Sequence, residues 1–244
     1  MYGWRAKIGI LVPPGNPTVE AELPGVVPHG VSVHYTRMKA SGATGTHAGQ
    51  RERNVSQVES IDGCVELLQM LSPSVIAMAH TATSYMLGEA AEAELIQKIE
   101  KKHGCRFITA FGSSLEAFRH LDIKSIGYAT PYSEETTLEG KKHTEACGVQ
   151  VLKVARLDNV INIYHETPER AYLAGRRADC EDADAIYLSG TGMPTLDALQ
   201  QLENDTGKIV LSATSCMLWN ALRISGVHEP IQGYGRLLAS ASSA

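Results

Sequence analysis

The feature that most constrains this chain is an alternation. Short β-branched runs recur, and each is followed by a stretch with helical periodicity. The predicted strands are Lys7–Val12, Val31–Met38, Ser74–His80, Arg106–Ala110, Ser125–Thr130, Val149–Ala155, Asp184–Gly190 and Lys208–Ser212. Between them, stretches such as Ser56–Leu71 and Gly88–Lys102 space apolar residues by three and four with charges between. Near-continuous apolar strands alternating with amphipathic helices predict an α/β fold, a parallel sheet with helices on both faces. A chain of 244 residues can form one large domain or two small lobes with a real core.

A weak internal repeat favours two lobes of four strands each. Ile8-Gly9-Ile10-Leu11-Val12-Pro13 is echoed by Ile126-Gly127-Tyr128-Ala129-Thr130-Pro131, and Thr18 falls opposite Thr136. Val75–His80-Thr81 likewise lines up with Ala185–Gly190-Thr191. The alternative is that any two βαβ units would show this much likeness. In parallel sheets ligands bind outside the carboxyl ends of the strands, so two such lobes would offer matching edges to one cleft. The crossover near Ser113–Lys124 reads as a helix, which predicts lobes packed together rather than tethered.

Several function classes are disfavoured by composition. A net charge of −5 gives no basic footprint for nucleic acid or for an anionic membrane. The opening residues lack the apolar run of a signal peptide or a membrane span, so the expected location is the cytoplasm. Five cysteines, Cys64, Cys105, Cys147, Cys180 and Cys216, are odd in number and contain no Cys-x-x-Cys pair. They read as reduced thiols, and no Cys or His pair has the spacing of a metal site.

Three strand ends carry candidate chemistry. In Val12-Pro13-Pro14-Gly15-Asn16-Pro17-Thr18, Asn16 either caps the next helix or joins its free N–H groups in a neutral site for a carboxylate. In Ala79-His80-Thr81-Ala82-Thr83-Ser84-Tyr85, His80 is either an acid/base with oxyanion donors beside it or a core histidine bonded to a carbonyl. In Ser189-Gly190-Thr191-Gly192, the glycines would let backbone N–H groups approach a ligand, though a plain turn has the same sequence. This is neither a dinucleotide fingerprint nor a Walker loop, so no nucleotide cofactor is expected. Tyr132, after Thr130-Pro131, is a candidate oxyanion donor or an amphipathic surface tyrosine.

Taken in order, these motifs resemble the aspartate/glutamate racemase superfamily, and within it maleate isomerases and arylmalonate decarboxylases. The likeness runs through Gly9–Glu20, Val27–Val33, Ala129–Tyr132, Leu157–Asn159, Leu188–Gly192, Thr195–Asp197 and Gly233–Leu238, nearly the whole chain. It implies two pseudo-symmetric lobes, residues 1–114 with 220–244 and residues 115–219, with the active site in the cleft between them. It also implies no metal or organic cofactor and self-association into a homo-oligomer. By this resemblance Asn16, Tyr132 and Asn159 would bind substrate, while Thr81, Ala82 and Gly190, Thr191 and Gly192 would bind an oxyanion.

One departure matters more. The resemblance places the family's two cysteines at positions 80 and 190, where this chain has His80 and Gly190. Two-base racemisation needs an acceptor on each face of the carbon, and a covalent mechanism needs a soft nucleophile. A single imidazole opposite an oxyanion pocket remains. The expected function is a cofactor-independent lyase or isomerase acting on a small carboxylic acid through an enolate-like intermediate, with His80 moving the proton. The alternatives are a hydrolase in which His80 activates water, and a non-catalytic carboxylate-binding protein.

Overall fold

The computed structural model describes residues 2–43 and 47–240; the remaining positions of the expected lobe boundaries lie outside it. Two four-stranded sheets form, all neighbours parallel. The first contains β1 (Ala6–Val12), β2 (Val31–Arg37), β3 (Val75–Met78) and β4 (Phe107–Thr109), in the order β2-β1-β3-β4. The second contains β5 (Ser125–Thr130), β6 (Gln150–Arg156), β7 (Ala185–Leu188) and β8 (Ile209–Ser212), in the matching order β6-β5-β7-β8. The two-lobed α/β architecture expected from the repeat is therefore present. Each sheet puts its most apolar strands inside. Residues of β3, β5 and β7 are buried throughout, whereas edge strand β6 alternates with solvent.

The helices are α1 (Thr18–Glu22), α2 (His47–Gln69), α3 (Thr81–His103), α4 (Ala110–His120), α5 (Glu134–Ala146), α6 (Pro168–Ala178), α7 (Leu196–Thr206), α8 (Ala213–Ile224) and α9 (Arg236–Ala239). Among the described residues none is long and apolar enough to cross a membrane. Two helices are longer than predicted. α3 begins at Thr81 and continues through a break at Gly88 (φ 75°, ψ 168°), which separates its buried first turns from the amphipathic stretch. α2 begins at His47, because its early turns bury polar Asn54 and Gln57 rather than apolar residues.

Two helices tie the lobes together. α4 follows the first sheet but packs on the second, where Ser114 Oγ lies 2.9 Å from Tyr187 Oη and Phe118 stacks edge-on against the Tyr187 ring. α8 follows the second sheet, packs along α4 and reaches β1 and β3. After α8, Arg5 and Glu229 form an ion pair at 2.9 Å, which links the segment beyond α8 to the start of the chain. The last helix, α9, packs on β8 and α8. The reason is buried Glu203 of α7, whose carboxylate accepts from Val210 N (2.9 Å) and from Arg236 N (2.9 Å), holding the final helix on the second lobe.

Phe118 is 1% exposed. Phe118→Ala should lower the unfolding free energy by about 3–5 kcal/mol in urea titrations, as expected for an aromatic core truncation; a loss under about 1 kcal/mol would contradict the exchange of α4 between lobes.

Candidate active site

The carboxyl ends of β3 and β7 meet. After β3 the chain passes through Ala79 to His80, which is extended (φ −153°, ψ 101°) and starts α3. After β7, Gly190 turns the chain at φ 96°. Thr191 Oγ1 donates to the Ala79 carbonyl at 2.6 Å, and Thr81 Oγ1 lies 2.9 Å from Tyr132 Oη. From the β1–α1 loop, Asn16 Nδ2 donates to the Thr191 carbonyl at 3.0 Å; from the first turn of α1, Thr18 Oγ1 donates to that of Gly192 at 2.7 Å. Gly190 is needed for space as well as for its positive φ, because a Cβ there would stand 2.9 Å from Tyr132 Oη.

These bonds satisfy carbonyls and leave N–H groups. The helices that start at other strand ends are capped. Asn16 Oδ1 accepts from Thr18 N (2.9 Å) at α1, Thr109 and Ser212 cap α4 and α8, and Glu22 of the first lobe accepts from Thr195 N (2.6 Å) and Leu196 N (2.8 Å) at α7. At α3 the His80 side chain makes no cap, and the N–H groups of Thr81 and Ala82 have no hydrogen-bond partner among the described residues. Such a helix start attracts an anion through its free donors and its dipole.

His80 itself is 7% exposed, with Nδ1 2.6 Å from Thr83 Oγ1. Burial, with a further push from the Arg53 charge, lowers its pKa to about 4, so the ring is neutral at pH 7. Its other nitrogen makes no hydrogen bond among the described residues. Tyr132 is shifted the other way: burial pushes its phenol well above the usual tyrosine range against the bond to Thr81, so it stays a protonated donor.

The predicted residues are placed as follows. Asn16, His80, Thr81, Ala82 and Thr191 are buried where the lobes meet, with Gly190, Gly192 and Tyr132 around them. Asn16 both caps α1 and latches onto the second lobe. Asn159 is exposed at φ 55° and makes no hydrogen bond to this cluster among the described residues, because its turn projects beyond β6. The cysteines all remain free. Cys216 is buried in α8, its thiol pushed up to about 12 by burial. Among the described residues no group of three His, Cys, Asp or Glu side chains is placed to hold a metal ion.

Sequence reasoning missed three contributors. Arg53, on a charged stretch of α2, donates to Gln50 Oε1 at 2.7 Å and to the Ala43 carbonyl, with its charge felt by His80. Tyr164 packs over Gly15 and Gly192. Glu22 is the inter-lobe cap, and its buried carboxyl is pushed up to about 7 by desolvation. Only Glu22 left a local signal, an acid on a short helix beside the Pro-Gly-Asn-Pro loop.

Two lobes that meet with an uncapped helix start beside a glycine turn define a pseudo-symmetric α/β fold with free backbone donors at its seam. The comparisons with known proteins fit this class. The model of the arylmalonate decarboxylase family matches residues 8–238. The maleate isomerase of Geobacillus stearothermophilus is 25% identical, with 96% of this chain and 97% of that protein covered. The arylmalonate decarboxylase of Bordetella bronchiseptica is 27% identical, with 94% and 95% covered. Among solved structures, Pseudomonas putida maleate isomerase with maleate superposes with a TM-score of 0.88 at 22% identity, covering 97% of this chain and 98% of that one. A Nocardia farcinica maleate cis-trans isomerase mutant, with a covalently bound succinylcysteine intermediate, gives 0.86 at 24% identity, with 96% and 98% covered. The chain belongs to the arylmalonate decarboxylase family. Its relatives are isomerases and a decarboxylase, so it is an enzyme of that group.

Two buried groups make opposite pH predictions. For His80 the folded pKa, about 4, lies below the ordinary histidine value of 6.5, so its contribution is complete above 6.5 and is lost as pH falls towards 4. At about 1.4 kcal/mol per unit, His80→Gln should remove about 3 kcal/mol of acid sensitivity in unfolding measured across that window. For Glu22 the folded value, about 7, exceeds 4.5, so stability present below 4.5 is lost as pH rises to 7. Glu22→Gln should flatten that arm of the same profile.

Proposed function

We propose that this enzyme acts on a small carboxylic acid through an enolate-like intermediate, with His80 as the proton carrier and no cofactor. The observation that carries the reading is the uncapped start of α3 beside a buried, neutral imidazole. One substrate carboxylate would accept from the Thr81 and Ala82 N–H groups, with the 190–192 turn and the Tyr132 hydroxyl stabilising charge as it develops on oxygen. With Nδ1–H donating to Thr83, His80 Nε2 is an acceptor that can take a proton from carbon. The buried imidazolium so formed is unstable and returns its proton readily.

This balance favours one of two reaction types, isomerisation by proton transfer over decarboxylation. Isomerisation by proton abstraction and return begins with a neutral base, which is what a pKa near 4 supplies at pH 7. Decarboxylation produces an enolate that must be met by an acid already protonated, and the same low pKa makes His80 poorly suited to that step. Hydrolysis by a His-activated water remains the competing use of a neutral imidazole.

Turnover in deuterium oxide with a panel of small mono- and dicarboxylates should place deuterium on carbon. His80→Ala should cut kcat by about 10²–10⁴-fold, the usual worth of general acid–base action, with the fold kept by circular dichroism. An active His80→Ala enzyme, or oxygen-18 from water appearing in the product, would refute the assignment.

A further inference from the structure

Tyr164 takes no part in the hydrogen-bonded cluster yet touches both lobes. It is carried by the 3-10 turn Ile163–His165 between β6 and α6. Asn162 Oδ1 accepts from Tyr164 N at 3.0 Å, and Arg170 pairs with Glu166 while donating to the Asp158 carbonyl at 2.6 Å. Anchored at its base in this way, the loop sends the phenol ring back between the two site loops. One ring edge faces Gly15, where a Cβ would stand 3.0 Å from Cε2. The opposite edge faces Gly192, where a Cβ would stand 2.8 Å from Cε1. The ring is therefore wedged between a loop of the first lobe and a turn of the second.

That position bears on the substrate. With one carboxylate at the start of α3, the gap between the Gly15 loop and the Gly192 turn, joined to it through the Asn16–Thr191–Ala79 bonds, is where the rest of the acid would extend. Buried beside this gap are Asn16 (1% exposed), His80 (7%) and Thr191 (2%), while Tyr164 is only half-buried. An aromatic ring already fills the space between these two glycines. We infer that Tyr164 is the specificity-determining residue of this site, admitting small aliphatic acids and rejecting aryl-substituted ones by occupying the gap between Gly15 and Gly192. The inference rests on the carboxylate site proposed above.

The test compares methylmalonate with phenylmalonate, which differ only in the α-substituent. Affinity by calorimetry and turnover by deuterium incorporation are measured for the parent enzyme, Tyr164→Ala and Tyr164→Phe, with Tyr164→Leu replacing the alanine variant if circular dichroism shows that variant unfolded. The parent should prefer methylmalonate. Tyr164→Ala should shift the phenyl-to-methyl ratio of affinities by at least about tenfold towards phenylmalonate, the low end of what reshaping an apolar pocket yields. Tyr164→Phe should keep the parental ratio. An unchanged ratio in Tyr164→Ala, or no binding of either acid by parent and variant alike, overturns the inference. A shifted binding ratio without deuterium incorporation in any protein would uphold Tyr164 as the selector while refuting the proposed chemistry.

Discussion

The hydrogen bond from Thr191 Oγ1 to the Ala79 carbonyl joins the ends of the two central strands, and the rest of the site follows from it. Parallel strands that end inside a protein leave backbone groups that need partners. Here each carbonyl at the seam is met by a side chain from the opposite lobe: Ala79 by Thr191, Thr191 by Asn16, Gly192 by Thr18. The donors are left over. Because acceptors are consumed and N–H groups are not, backbone donors give the seam an electropositive edge, to which the nearby Arg53 charge adds. In the proposed function this edge recognises a carboxylate at low reorganisation cost, since the donors are already oriented.

The internal symmetry is broken at the ends of the two central strands. β3 and β7 are equivalent by sheet order, yet one ends in an imidazole and the other in a glycine. The Tyr132 hydroxyl occupies the room that a side chain at position 190 would need. One strand end therefore leads to a buried neutral imidazole, and the other packs against a phenol that burial keeps protonated. A pair of matched bases would suit reversible inversion of a carbon centre. A base facing a donor suits a proton transfer with charge held on oxygen.

Much of the architecture was legible because it rests on periodicity. Every strand falls within a residue or two of its predicted limits, as buried β-branched runs have few other ways to satisfy their backbone. The echo of Val75–His80 in Ala185–Gly190 corresponds to equivalent strands in the two sheets. Other features depended on long-range contacts that no local pattern encodes. The start of α2 was hidden because its inner face is polar, and no local pattern shows that Glu203 holds Arg236 at the start of α9 from thirty-three residues earlier. Asn16 was read as either cap or ligand, and its two ends do different things: the oxygen caps α1 while the amide reaches the second lobe. Tyr164 and Arg53 lie in segments without any motif, and only folding brings them to the cleft.

The most direct test of the account is a crystal structure with a small dicarboxylate bound. One carboxylate should lie about 3 Å from the N–H groups of Thr81 and Ala82, normal hydrogen-bond range, with a carbon of the ligand facing His80 Nε2. A ligand bound elsewhere, with the start of α3 vacant and the His80 ring turned from the cleft, would contradict it.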